Sequence, residues 1–230
     1  MKQLTLIILL FLPILLLSLA ESAPAQQQES SGYCEFWHIE ELQYSIAPTL
    51  GITLGKQFKY RGGNNYFTET GVSINYLRQE QPDISIGYKI IDTLGNNSWE
   101  QENRVYADYT PQWKIGDVAL SDRNRFEYRF FYYDKEDYLR YRNRLEISFP
   151  LKICRYTIKP YIANEIFFDR YSGGAFNPSK NQYSLGMRND VREHLHIDVS
   201  LIRQTNARYL DEGELLNEFN ALQVKLKFEF

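Results

Sequence analysis

The sequence lacks most features of soluble enzymes and of helical membrane proteins. Its 230 residues include two cysteines and three histidines, too few for the usual zinc ligand sets, and they allow one intrachain disulfide at most. No apolar run after Ala20 is long enough to cross a bilayer as a helix. Phosphate-binding and dinucleotide-binding glycine motifs are missing as well. The formal net charge of −3 gives no reason to expect a nucleic-acid partner, and we expect no metal and no cofactor.

The first residues have the layout of a secretory signal peptide. An apolar run over residues 4–20 follows Lys2 and ends in small residues, as at a cleavage site. We therefore predict a signal peptide over residues 1–20, with cleavage after residue 25 as the alternative and an uncleaved anchor as the less favoured interpretation. The polar residues 21–35, rich in glutamine and serine, predict a flexible leader.

The remainder, residues 36–230, alternates polar and apolar residues with period two. Aromatic residues make up 15% of the chain, while the mean hydropathy is only −0.46. Strands that cross a bilayer have about 9 to 11 residues and one lipid-facing side, so their average hydropathy stays low. The pattern predicts an all-β protein, an antiparallel transmembrane β-barrel. Strand segments fit at 36–46, 50–60, 66–78, 82–91, 100–111, 119–132, 138–149, 156–168, 181–190, 194–206 and 218–230.

The number of these segments conflicts with a regularity of bacterial barrels. Eleven segments fit the pattern, whereas bacterial single-chain barrels have an even number of strands. Connections expected to be longer, at 61–65, 92–98, 170–180 and 207–217, alternate with short ones. If the last strand ends in the periplasm, the segment 36–46 would have to start outside the cell. We therefore predict about ten strands, with 36–46 not a wall strand but placed at the periplasmic mouth or inside the lumen, and twelve strands as the alternative.

The last strand has the clearest alternation. Its apolar residues share one parity, and the printed sequence stops at an aromatic residue. This resembles the C-terminal signal that the barrel-assembly machinery reads, which predicts that machinery and outer-membrane lipid as partners. The predicted assembly signal consists of Leu222, Val224, Leu226, Phe228 and Phe230.

Arginines share one face of the segments 119–132 and 138–149, and aromatic and aliphatic residues share the other. A charge that faces lipid near the midplane of a barrel costs about 2–4 kcal/mol, so this face should line the lumen. Charged residues of neighbouring segments have the matching parity. The predicted lumen charge cluster is Glu102, Arg104, Arg123, Arg125, Glu127, Arg129, Arg140, Arg142, Arg144, Glu146, Lys159 and Glu165.

Two interpretations of this charged face stay open. Interlocked Arg–Glu pairs can fill a narrow barrel and act only as structure. Rings of arginine can also select anions in a pore. The interspersed carboxylates favour the structural interpretation.

Several motifs resemble a known family. They are the runs 123–130 and 140–145, the run 159–161 leading into 164–168, and Asn181-Gln182 followed by Gly186. In this order and spacing they resemble an uncharacterised bacterial family of exported proteins, known only as a domain of unknown function. The resemblance implies an outer-membrane barrel and carries over no catalytic or ligand-binding residues.

The few residues suited to chemistry are weak candidates. His194 and His196 share a face with Asp198 and Ser200, but residues two apart on a strand are about 6.5–7 Å apart, too far for direct contact between His196 and Ser200. Separately, Cys34 and Cys154 are a candidate disulfide, because both are expected at the periplasmic end of the barrel, in an oxidising compartment.

These observations predict an exported, porin-like protein of the bacterial outer membrane that is not an enzyme. Its predicted role is structural, or that of a narrow channel with an Arg/Glu-lined lumen. The alternatives are a channel for anions or acidic oligosaccharides and a membrane-embedded lipid hydrolase.

Overall fold

A computed structural model describes residues 33–76, 82–95, 98–133, 135–153, 156–172, 174–210 and 213–230. The predicted signal peptide and most of the predicted leader lie outside these residues and stay predictions. Within the described part, no helix is long and apolar enough to cross a membrane. The strands are β1 (Tyr33–Ala47), β2 (Leu50–Arg61), β3 (Asn64–Tyr76), β4 (Asp83–Leu94), β5 (Trp99–Thr110), β6 (Gln112–Ile115), β7 (Val118–Phe131), β8 (Tyr138–Ser148), β9 (Leu151–Ile153), β10 (Tyr156–Arg170), β11 (Asn177–Arg192), β12 (Leu195–Leu210) and β13 (Gly213–Glu229).

The strands of the described residues form one sheet that closes on itself. Eleven strands make the barrel wall, and the short strands β6 and β9 extend it beside β7 and β10. Successive wall strands are antiparallel, and β1 closes the barrel by pairing in parallel with β13, from Tyr33 opposite Phe219 to Gln43 opposite Glu229. The predicted all-β transmembrane barrel class is thereby confirmed.

The predicted strand number needs correction. The wall has neither ten nor twelve strands, because the segment 36–46 lies within β1, a full wall strand between β13 and β2. Without β1, the backbone groups on one edge of β13 and of β2 would lack partners, and closure satisfies them. With an odd number of strands, the first and last strands must run in the same direction.

Consequently the two ends of the barrel differ. We call the end that holds Phe230 the C-terminal mouth, and the opposite end, where β1 and β13 begin, the N-terminal mouth. One connection that was expected to be longer is a tight turn at the N-terminal mouth. Gly62 and Gly63, with φ of 56° and 81°, form it, since glycine adopts positive φ without strain. At the same mouth, Leu210 of β12 pairs with Gly213 of β13.

The two faces of the wall have opposite character. Large apolar side chains are exposed on the outside, with Ile86 at 61% and Leu185 at 60% of full exposure. Charged side chains are buried on the inside, and Glu127 has no exposed surface at all. This distribution is the reverse of that in soluble proteins.

Exposed aromatic residues lie near both mouths. Tyr44, Tyr109 and Phe149 lie near the C-terminal mouth, and Trp99 and Tyr132 near the N-terminal mouth. Aromatic girdles at these two levels are typical of barrels in a bilayer.

One part of the outer face is polar. Tyr141 and Asn143 of β8 donate hydrogen bonds to Asn124 and Asp122 of β7, at 2.5 and 2.6 Å. These groups therefore satisfy one another rather than facing lipid unpaired.

Two glycines make room for tyrosine rings on the neighbouring strand. A Cβ on Gly87 would lie 2.4 Å from the ring of Tyr106, and a Cβ on Gly186 would lie 2.3 Å from the ring of Tyr161. Each pair is directly opposite in the register. The rings can therefore lie over the glycine positions, a packing that only glycine permits here.

Candidate functional site

The inner face lines a cavity of about 1010 Å³ that reaches both mouths. Its lining includes Asp83 and Lys227 at the C-terminal mouth and Thr93, Lys135 and Asn206 at the N-terminal mouth. Because successive side chains of a strand point to opposite faces of the sheet, every second residue of each wall strand faces this space, and these include the charged residues.

Glu127 lies at the centre of the ion-pair network in the wall. Its Oε1 is 2.8 Å from Arg142 and 3.6 Å from Arg125, and its Oε2 is 3.8 Å from Arg104. Three arginines thus surround one fully buried carboxylate, and each of them also contacts another acid.

The other carboxylates of the network are shared in the same way. Glu102 pairs with Arg104 and, at 2.5 Å, with Arg129. Glu165 accepts from Arg123 at 2.8 Å and lies 2.7 Å from Arg142. The remaining pairs are Arg125–Asp108 (2.6 Å), Arg140–Asp169 (2.6 Å), Arg144–Glu146 (3.2 Å), Arg144–Glu165 (3.8 Å), Arg188–Glu146 (2.7 Å) and Arg188–Asp198 (3.0 Å).

The structure brings together eleven of the twelve residues of the predicted lumen charge cluster. Lys159 lies apart from them, because it is at the C-terminal mouth and pairs with Asp190 at 2.9 Å. Arg188 and Asp169, which the sequence analysis did not select, belong to the network. Both have the inward parity of their strands, but neither lies in a run of charges that would have drawn attention.

The cavity carries more positive than negative residues. Of the described residues that line it, fifteen are lysine or arginine and seven are aspartate or glutamate. Four buried carboxylates, at Glu35, Glu127, Glu146 and Asp169, do not remove this excess. At the N-terminal mouth, burial lowers the pKa of Lys135, and the charge of Arg129 lowers it further.

The opposite wall carries an apolar cluster among polar residues. Trp37, Ile202, Phe219 and Ala221 form this buried cluster on the inner side of β1, β12 and β13. Trp37 donates to Glu35 at 2.7 Å. The inward-facing arginines that line the cavity lie on the wall from β5 to β11.

The predicted assembly-signal residues lie on the outer face of β13, between β12 and β1. Phe228 and Phe230 are exposed, whereas Leu222 is buried. The backbone of Phe230 donates to Gln43 at 2.9 Å and accepts from Ser45 at 2.7 Å. The last residue is therefore fixed by β1.

His194 and His196 lie at the C-terminal mouth. His196 Nδ1 is 2.7 Å from Asp190, and its Nε2 is 3.3 Å from Glu229. His194 Nδ1 is 2.7 Å from the carbonyl oxygen of Glu229. Ser200 accepts from Gln223. Among the described residues, no group of three His, Cys, Asp or Glu side chains has metal-binding geometry.

Cys34 lies near the start of β1, at the N-terminal mouth. This mouth is opposite to the one that holds Phe230, and the expected periplasmic position of Cys34 stays a prediction. Cys154 lies outside the described residues, and the disulfide stays a prediction.

Comparison with known proteins identifies the family. Residues 34–210 match the family described as Protein of unknown function (DUF2490). The chain belongs to this family. The resemblance noted in the sequence motifs is thereby confirmed. No curated protein matches the sequence.

Solved structures show the fold of this DUF2490 member. LpxR from Salmonella typhimurium is similar with a TM-score of 0.54 and 11% identity, over 83% of this chain and 87% of that chain. A bacterial polysaccharide outer membrane secretin has a TM-score of 0.47 and 8% identity, over 80% and 77%. OmpT of Vibrio cholerae has a TM-score of 0.40 and 10% identity, over 79% and 61%. The likeness to LpxR supports an outer-membrane barrel fold and no shared activity.

Proposed function

We propose that this protein resides in the bacterial outer membrane and forms a narrow, anion-selective channel. The observation that carries the proposal is the cavity that reaches both mouths and is lined by an excess of lysine and arginine.

The surface of the barrel supports the location. Its outside exposes large apolar side chains between two levels of aromatic residues, as expected for a wall in contact with lipid. The alternation of the last strand supports assembly by the barrel-assembly machinery, and the predicted signal peptide would supply export.

The arrangement of the ion pairs supports an open lumen rather than a plug. Arg125–Asp108 joins β7 to β5, and Arg140–Asp169 joins β8 to β10. Arg188–Glu146 spans only from β11 to β8. Among the described residues, the ion pairs run along the wall and none joins β1–β4 to β7–β11. The network therefore stiffens one wall, and its described ion pairs do not cross the axis.

The size and charge of the cavity support passage of small anions. Spread over the about 30 Å of a hydrocarbon core, 1010 Å³ corresponds to a mean cross-section of about 30 Å². That area admits small ions rather than folded polypeptides. An excess of fixed positive charge in such a narrow pore favours anions. The proposal includes no catalytic step.

Planar-bilayer recording tests whether a channel exists. The refolded barrel should produce discrete conductance steps in potassium chloride, and heat-unfolded protein should produce none. Recordings without steps, from protein whose folding has been verified by its unheated gel mobility, would contradict the proposal.

A further inference from the structure

Three lysines at the N-terminal mouth form no direct ion pair among the described residues. Lys59 is near the end of β2, Lys180 is near the start of β11, and Lys135 is in the β7–β8 connection. All three line the cavity. By contrast, the other inward-facing cations that line it pair with carboxylates, as Lys225 does with Glu41 at 2.8 Å.

Each of these lysines is held over an aromatic ring instead. Lys59 Nζ is 3.9 Å from the ring centroid of Trp37, and Lys180 Nζ is 3.9 Å from that of Phe167. Lys135 Nζ is 4.4 Å from the ring of Phe131. A cation–π contact positions an ammonium group but leaves its positive charge uncompensated.

The cationic surroundings of Lys180 oppose its positive charge. Arg140, Lys59, Arg142 and Arg104 all repel it. The carboxylates nearest to these arginines are already shared in the wall network. Lys59 and Lys180 belong to strands separated by β1, β13 and β12, so their repulsion acts across the lumen. An anion between them would relieve it.

The geometry points to a binding site for a multivalent oxyanion, a solute with two or more phosphate or carboxylate groups, formed by Lys59, Lys180 and Lys135 at the N-terminal mouth. Three ammonium groups on separate parts of the wall favour a ligand with several charged groups over a single halide ion. This site rests on the proposed lumen being accessible to water, and it does not require that ions pass through.

Trp37 provides a spectroscopic probe of the site. An anion that draws Lys59 away from the indole ring of Trp37 should change the fluorescence of Trp37. Trp99 and Trp113 are exposed away from the lumen, so their fluorescence should not respond. The experiment is a titration of the refolded full barrel in detergent with pyrophosphate and, separately, with tricarballylate. Trp37→Phe assigns the signal, and isothermal titration calorimetry provides a second readout.

We expect saturable binding that weakens at least tenfold in Lys59→Gln and in Lys180→Gln. Lys114→Gln is the matched control, since Lys114 is exposed on β6 outside the cavity. Binding of both probes would assign the site to charge alone, and binding of pyrophosphate alone would assign it to phosphate.

Lack of saturable binding would overturn the site. So would equal affinity of the Lys59→Gln, Lys180→Gln and Lys114→Gln variants for the probe, provided that all three show the gel mobility of the folded barrel. Conductance without binding would refute only this site. Binding without conductance would refute only the channel.

Discussion

At the scale of single residues, Glu127 shows how the barrel keeps charge in its interior. Burying a charge is costly, and the cost is offset only where opposite charges and hydrogen bonds compensate it. Glu127 is fully buried and has three arginines within 3.8 Å. Each arginine also pairs with a second acid. Removal of the Glu127 charge would therefore disturb the charge balance of all three arginines.

Replacing Glu127 with Gln should therefore destabilise the barrel strongly. The amide of glutamine carries no negative charge, so Arg142, Arg125 and Arg104 lose part of the charge that balances theirs. Loss of one member of a buried ion pair costs about 3–5 kcal/mol. Urea unfolding of the protein in lipid vesicles, followed by unheated gel mobility, measures the free energy of unfolding.

Glu193→Gln is the matched control, because Glu193 is exposed in the β11–β12 turn. If both variants unfold within about 0.5 kcal/mol of each other, the typical range of surface substitutions, the structural importance assigned to Glu127 is wrong.

At the scale of strands, the packing of Tyr161 on Gly186 links β10 to β11. Both residues belong to the motifs that suggested the family. The Tyr161 hydroxyl group also donates to Asp198 at 2.9 Å, so the ring joins three adjacent strands. Gly186→Ala should displace the ring and lower the free energy of unfolding by about 1–3 kcal/mol.

Gly55→Ala is the control for this change, because a Cβ there would meet its nearest neighbour, Glu41, at an ordinary 3.8 Å. The double variant Gly186→Ala/Tyr161→Ala should show non-additivity, since the clash is removed with the ring. Strictly additive effects on the free energy of unfolding would argue against the close contact.

The last strand allows a test of assembly. Phe230→Lys should reduce the amount of protein in the outer membrane and leave more in the periplasm, because it puts a charge at the apolar end of the predicted assembly signal. Phe230→Leu should assemble nearly normally. Cell fractionation with heat-modifiable mobility measures this, and equal membrane yield for both variants would exclude a role of the terminal residue.

The alternating strands could be predicted from sequence because lipid and lumen select opposite side chains at every second position. The same parity rule predicted the inward direction of Arg125 and Arg142. It could not reveal the exception, Lys159, whose position near the start of β10 brings it to Asp190 instead. Nor could it show which cations form no ion pair with a carboxylate, because Lys59 and Lys180 come within range of each other across the lumen only when the barrel closes.

At the scale of the whole molecule, the pairing of β1 with β13 sets the number of wall strands, which the sequence pattern had left open between ten and twelve. The expectation of an even strand number came from a regularity among bacterial barrels and not from hydrogen bonding. A parallel pair is only slightly less stable per residue than an antiparallel one, so β1 and β13 can complete an eleven-strand wall. This closure sets the lumen width and brings Trp37 and Lys59 to the mouth.

The reversal potential across a planar bilayer tests the central claim most directly. Under a tenfold gradient of potassium chloride, the excess of lysine and arginine in the lumen predicts a reversal potential of the sign set by chloride, with chloride more permeant than potassium. Lys59→Gln/Lys180→Gln should shift it toward zero. A reversal potential at zero, or one of the sign set by potassium, would contradict an anion-selective lumen.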